Sequence, residues 1–116
     1  MKRTTLPERR RSLTQPAAFE GHQFTITIGF DDRGQPKEVF ADVAKGSVMS
    51  ALIADSCVAV SLLLQHGTTP EAIGKSLGRI PNPIKGLRAT KAASPIGVII
   101  EMLTAEVPEG EANNDD

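Results

Sequence analysis

Residues 21–56 constrain the fold most, because their hydrophobic pattern changes from a period of two to helical spacing within a few residues. Apolar side chains first alternate with small or polar ones, as in a strand with one buried face, at Phe24, Ile26, Ile28 and Phe30. A second strand repeats this alternation at Val39, Ala41 and Val43. The segment 31–34, which ends in Gly34, is typical of a turn. The pattern predicts an antiparallel hairpin, and a lone hairpin is unstable in water unless its apolar face is covered.

A long helix is predicted to provide that cover. Ser47 is a typical N-cap and Gly67 a typical helix stop. Between them, apolar residues recur at helical spacing: Met49, Leu52, Ile53, Cys57, Val60 and Leu64. Three more apolar residues widen this surface beyond one stripe: Val58, Leu62 and Leu63. We therefore expect the helix to be buried on more than one side, either centrally in the fold or in a subunit interface.

Two shorter helices are predicted from cap-plus-proline signals. Thr69-Pro70 begins a helix that should run to about Leu77, and Ser94-Pro95 begins the last one. Residues 79–93 show no clear period and are predicted to be a loop. The predicted class is α+β, a hairpin or small sheet packed against a long central helix and two shorter helices, with flexible termini. Residues 1–20 are expected to form a basic extended arm, 21–104 the domain, and 105–116 an acidic disordered tail.

Composition limits the classes of function. A chain of 116 residues suffices for one domain with a modest core. Net charge is −1 and the aromatic residues are four Phe, which argues against a general nucleic-acid surface. Cys57 is the single cysteine, so no intramolecular disulfide forms, as is usual in a reducing cytoplasm. No secretory signal is apparent and no apolar stretch approaches the roughly 20 residues that span a bilayer, so we expect a cytoplasmic protein without a membrane partner.

Two segments are candidate anion sites. Lys45-Gly46-Ser47 lies where a strand meets a helix, and free N–H groups at a helix N-terminus suit phosphate. The alternative is a plain turn with a serine cap, because the segment is far from a full P-loop pattern. Arg9, Arg10 and Arg11 could neutralise phosphates or contact an acidic partner, or form a solvated arm.

Other reactive residue types give no catalytic or metal site. His22 is expected to be structural, and His66 is favourable near a helix C-terminus without any ligand. Cys57 lies on the apolar face of the long helix, where a buried thiol is inert. The histidines have no neighbouring carboxylate and cysteine set with metal spacing.

The order of several short motifs resembles a known family. These motifs are LPERRRSLT at 6–14, GH at 21–22, KEVF at 37–40, AKGS at 44–47, QHG at 65–67 and RATKAASPIGVIIEML at 88–103. Together, from about Leu6 to Leu103, they resemble the TSCPD domain, the C-terminal accessory region of adenosylcobalamin-dependent (class II) ribonucleotide reductases. The chain departs from that family at Ser94-Pro95, which stands where the family has Cys-Pro.

The resemblance implies a setting in deoxyribonucleotide synthesis without the reductase's own chemistry. Class II reductases need a large barrel, a radical-bearing cysteine, reducing cysteine pairs and a fold that binds adenosylcobalamin, and one cysteine cannot supply these. We therefore expect no cofactor in this chain and no ribonucleotide reduction by the chain alone, although similarity could lead to a reductase name. Three functions stay open: an accessory module that binds itself, the reductase or a nucleotide; a subunit of a split ribonucleoside-diphosphate reductase; and a nucleic-acid- or nucleotide-binding module.

Overall fold

The computed structural model describes residues 11–44 and 46–108. A three-stranded antiparallel sheet comes first along the chain, built from β1 (Ser12–Phe19), β2 (His22–Phe30) and β3 (Pro36–Val43), with β2 in the centre. The helices α1 (Val48–Gln65) and α2 (Pro70–Lys75) follow. Two short paired strands, β4 (Arg79–Pro81) and β5 (Thr90–Ala92), then lead to helix α3 (Pro95–Ala105). The predicted α+β class, with a small sheet, a long helix and two shorter ones, is confirmed.

One face of the sheet forms the core. The β2 residues predicted to be buried are 0–4% exposed: Phe24, Ile26, Ile28 and Phe30. Helix α1 lies along β3 and helix α3 along β1, so both helices cover the same sheet face. They contribute fully or nearly fully buried side chains from two stripes: Ile53, Cys57, Val60 and Leu64 of α1, and Ile99, Ile100 and Leu103 of α3.

Local signals fix the element ends as predicted. Gly34 has a φ of 82° in the β2–β3 turn, and Gly67 has a φ of 96° just after α1. The Ser47, Thr69 and Ser94 side chains each accept a backbone hydrogen bond at the start of a helix. These caps satisfy N–H groups that the helices themselves leave without partners.

Strand β1 was not predicted. Residues 12–19 were assigned to the extended arm, but they pair with β2 along their whole length, from Ser12 opposite Gly29 to Phe19 opposite His22. The two-residue turn at Glu20 and Gly21 has positive φ at both positions, which is typical of a tight hairpin. β1 is an edge strand, and an edge position tolerates Pro16, which weakens the strand pattern in the sequence.

The ends of the described chain also differ from the predicted boundaries. Glu106, Val107 and Pro108 were assigned to the acidic tail, yet they are half-buried, and Glu106 pairs with Arg11 at 3.3 Å. Residues 79–93 were predicted to be a loop, but they contain the β4–β5 pair. The predictions of a flexible arm at 1–10 and a disordered tail at 109–116 lie outside the described residues.

Candidate functional site

The predicted anion site at the start of α1 has its hydroxyl groups engaged by the helix cap. The Ser47 side chain accepts a hydrogen bond from the Ser50 backbone N–H at 3.0 Å. The Ser50 hydroxyl in turn accepts from the Ser47 N–H and donates to the Ser47 carbonyl. Gly46 is exposed with a φ of 96°, and Lys45 lies outside the described residues. A phosphate role for this segment therefore stays a prediction.

Arg11 lies at the opposite end of the sheet. Its guanidinium sits 4.2 Å from the centre of the Phe30 ring and donates to Glu106. In the strand register, Ser12 pairs with Gly29 whereas Val43 pairs with Phe24, and these two β2 residues are about 17 Å apart. Arg11, which precedes Ser12, and Ser47, which follows Val43, therefore lie toward opposite ends of the strands. These two do not form one site, and Arg9 and Arg10 lie outside the described residues.

His66 and Cys57 occupy structural positions, and His22 is exposed at the start of β2. His66 caps α1, with its Nδ1 2.9 Å from the Leu62 carbonyl oxygen. Cys57 is 3% exposed, and burial raises the pKa of its thiol to about 11, so it is protonated at neutral pH. Within residues 11–44 and 46–108, no group of three or more His, Cys, Asp or Glu side chains could hold a metal ion.

The outward side of α1 is unusually apolar. We call it the outer face; its large exposed apolar residues are Val48, Leu52, Val58, Leu62 and Leu63, which are 43–78% exposed. Asp55, also exposed, is the only charged residue of the helix. The expectation that no apolar stretch nears bilayer length needs a correction, because α1 has 18 residues and a mean hydropathy of 1.8. By length and composition α1 could cross a membrane, but the core helix of a folded domain meets the same two criteria. The inner side of α1 packs into the hydrophobic core of this domain.

A groove runs between the outer face and strand β3. It has a volume of about 360 Å³ and is walled by Phe40 of β3 and by Val58 and Leu62 of α1. Phe40 is 60% exposed, because it points away from the core face of the sheet. Glu38 and Gln65 supply polar groups, and no lysine or arginine among residues 11–44 and 46–108 lines the groove.

A second exposed apolar feature is the segment between β4 and β5, which we call the tip loop (residues 82–89). Ile84 and Leu87 are 92% and 103% exposed, and Lys85 and Arg88 stand beside them. The sequence pattern predicted a loop here, but the two apolar side chains were not singled out as a candidate surface. The signal was available: two large apolar residues in a segment whose Pro and Gly content excludes a helix or a long strand.

A cavity of about 400 Å³ lies between α2, α3 and β4. Arg79 on its wall donates to the carboxylate of Glu101 and to the side chain and backbone of Thr90. Three glycines are among the residues that line the cavity: Gly74, Gly78 and Gly97. The arginine is thus occupied in joining the β4–β5 pair to α3.

Comparison with known protein families identifies the family of this chain. The model of the TSCPD domain family matches residues 2–106, nearly the whole sequence. This chain belongs to the TSCPD domain family. The family match covers all the described secondary structure, including β1, the groove and the tip loop of this TSCPD domain.

The TSCPD domain is similar to segments of vitamin B12-dependent ribonucleotide reductases. It is 37% identical over 67 residues to that of Bradyrhizobium diazoefficiens, covering 57% of this chain and 5% of the relative. It is 33% identical over 73 residues to that of Rhodopirellula baltica, covering 62% and 7%, and 35% identical over 71 residues to that of Agrobacterium fabrum, covering 60% and 6%. The similarity thus spans only a small part of these long proteins. No solved structure matches significantly.

Proposed function

We propose that this TSCPD domain is an accessory interaction module of the vitamin B12-dependent ribonucleotide reductase system, acts apart from the catalytic polypeptide and does not reduce ribonucleotides itself. The observation that carries the proposal is the family membership, together with relatives that are named as reductases and match this chain over 5–7% of their length. A region that is so small a part of the enzyme suits a supporting role.

The chemistry of the side chains supports a binding role over a catalytic one. Radical reduction of a ribonucleotide would need several redox-active thiols, whereas the one cysteine here is buried and holds its proton. In contrast, the outer face and the tip loop present large apolar side chains to solvent. Exposed apolar patches of this kind mark surfaces that contact other macromolecules.

A reconstitution experiment tests the proposal. The full chain and the B12-dependent reductase of the same organism are mixed, and association is measured by sedimentation velocity at micromolar concentration. Ribonucleotide reduction is assayed with and without the chain. We expect association with an enzyme that is already active alone. Absence of association, with no change in turnover, contradicts the proposal, and a reductase that is inactive until the chain is added shows a split enzyme instead.

Nucleotide binding is part of the same proposal only as a secondary activity. The cap at Ser47 leaves backbone N–H groups of the first turn of α1 near solvent, but the arginine Arg11 is at the far end of the sheet. Titration of the full chain with ATP and dATP, followed by calorimetry, checks it; no heat at millimolar nucleotide removes this activity and leaves the interaction role untouched.

A further inference from the structure

The charge on the outer face of α1 restricts what can cover it. Asp55 lies at the middle of the helix, among exposed apolar side chains, and α1 has no other charged residue. If two α1 helices packed against each other by this face, the two Asp55 carboxylates would come together in an apolar contact, which is unfavourable. A complementary surface needs large apolar side chains and a cation beside them.

The tip loop has that composition. Ile84 and Leu87 are almost fully exposed, Lys85 and Arg88 accompany them, and residues 79–93 contain no acidic residue. Successive turns hold the loop: the Lys85 N–H donates to the Asn82 carbonyl, and the Ala89 N–H to the Gly86 carbonyl. At its base, the Asn82 N–H donates to the Ala89 carbonyl at 2.8 Å. The apolar side chains are therefore presented by an ordered loop, which lowers the entropy cost of binding.

We propose that this chain forms a symmetric dimer in which the tip loop of each copy packs on the outer face and groove of the other copy. Leu87 and Ile84 would occupy the groove walled by Phe40, Val58 and Leu62, and the loop cations would lie against Asp55.

The size of the two surfaces suits a reciprocal contact. A helix of 18 residues is about 27 Å long and about 10 Å wide with its side chains. A stable interface buries about 800 Å² on each partner. In a twofold dimer each copy gives one loop and one helix face, so two equal contacts share that area.

Charge exchange tests the pairing. Sedimentation equilibrium measures the dimer dissociation constant of the full chain without any reductase. Asp55→Lys should weaken the dimer about tenfold or more, and so should Lys85→Glu with Arg88→Glu, because each places like charges together. Mixing these two variants should restore a heterodimer of wild-type strength, since both of its contacts again join opposite charges. All of these side chains are exposed, so the fold is expected to stay intact.

The controls separate this contact from other effects. Arg33→Glu reverses a charge on the exposed β2–β3 turn and should leave the dissociation constant unchanged; equal weakening by this variant would assign the effect to net charge and overturn the proposal. Leu87→Ser should weaken the dimer about tenfold or more, because the dimer would lose a leucine side chain that the proposed contact buries. Asp55→Asn should weaken it slightly, whereas tighter association would indicate α1 against α1 and overturn the proposal.

Three further results would overturn it: a wild-type monomer at micromolar concentration, a mixture of the two charge variants that stays monomeric, or a wild-type chain that binds anionic phosphatidylserine vesicles but not itself. The dimer would bury the same two surfaces that support the accessory role, so the two proposals are tested separately by measuring the dimer without the reductase. A dimer that ignores the reductase, or a monomer that binds it, would separate the two.

Discussion

Ser61 closes the open edge of the sheet, and its removal should destabilise the fold. Among the described residues, β3 is an edge strand, and its outward N–H and C=O groups have no neighbouring strand. The Ser61 hydroxyl on α1 accepts from the Val39 N–H at 2.9 Å and donates to the Val39 carbonyl at 3.1 Å. Gln65 donates to the Lys37 carbonyl, and Lys37 donates to the Leu64 carbonyl. Helix α1 therefore replaces part of the missing strand with side-chain hydrogen bonds.

The expected cost of Ser61→Ala follows from these two bonds. Each buried backbone group that loses its partner costs about 1–3 kcal/mol, and partial burial of the site favours the lower end of that range. Alanine returns about 0.5 kcal/mol through its better helix propensity. The net loss should be about 1–2 kcal/mol, with a fall in the melting temperature of roughly 4–8 °C for each kcal/mol.

Ser56→Ala is the matched control for this measurement. Ser56 lies on the same helix, is half-buried and makes no side-chain hydrogen bond in the described part of the chain, so its replacement should be neutral or slightly stabilising. Because the chain has no Trp or Tyr, urea unfolding is followed by far-UV circular dichroism. If both variants have the same unfolding free energy at an unchanged m-value, the edge-closing role of Ser61 is refuted.

Two other predictions concern packing and ionisation. Gly97→Ala should destabilise the fold by about 1–3 kcal/mol, because a Cβ there would lie 2.9 Å from the Ala92 Cβ. Gly78→Ala is its control in the same unfolding assay, since its Cβ would meet Ala93 at an ordinary 3.6 Å; equal losses would count against the packing argument. Burial raises the pKa of Cys57 from 9.0 to about 11, so below pH 9 the thiol is protonated in both states and contributes no slope. Between pH 9 and 11 the unfolded chain loses the proton first, and the unfolding free energy should fall by about 1.4 kcal/mol per pH unit relative to Cys57→Ala. If the unfolding free energies of the wild type and of Cys57→Ala change in parallel with pH across that range, the thiol is not desolvated in the folded chain.

The predicted elements that proved right are those in which a local signal and the hydrophobic period agree. β2 has a clean alternation and α1 has a serine cap and a glycine stop, so both were found from the sequence. β1 was missed because Pro16 interrupts it and its inward side chains, which include Gln15, are only half-buried. Its tight turn is built on Glu20-Gly21, and glutamate is a weak signal for positive φ.

The candidate surfaces were less predictable, because they depend on what the fold leaves uncovered. The sequence predicted an α1 that is apolar on more than one side, but only the structure separates Ile53 and Val60, which are buried, from Val58 and Leu62, which are exposed. In the same way, the sequence named Arg11 and Ser47 in two separate candidate anion sites, and only the strand register places them toward opposite ends of the sheet. Spacing along the chain carries no information about such distances.

The outer face of α1 needs an explanation from outside the fold. The core uses one stripe of the helix, and the sheet edge uses Ser61 and Gln65. Val58 and Leu62 serve neither, so polar residues at these two positions would leave the folded domain about as stable as it is. A helix that exposes apolar side chains along 18 residues with one charge is a solubility liability unless another surface covers it. The tip loop of a second copy and the reductase are the two proposed partners, and Asp55 variants distinguish them because the tip loop carries Lys85 and Arg88.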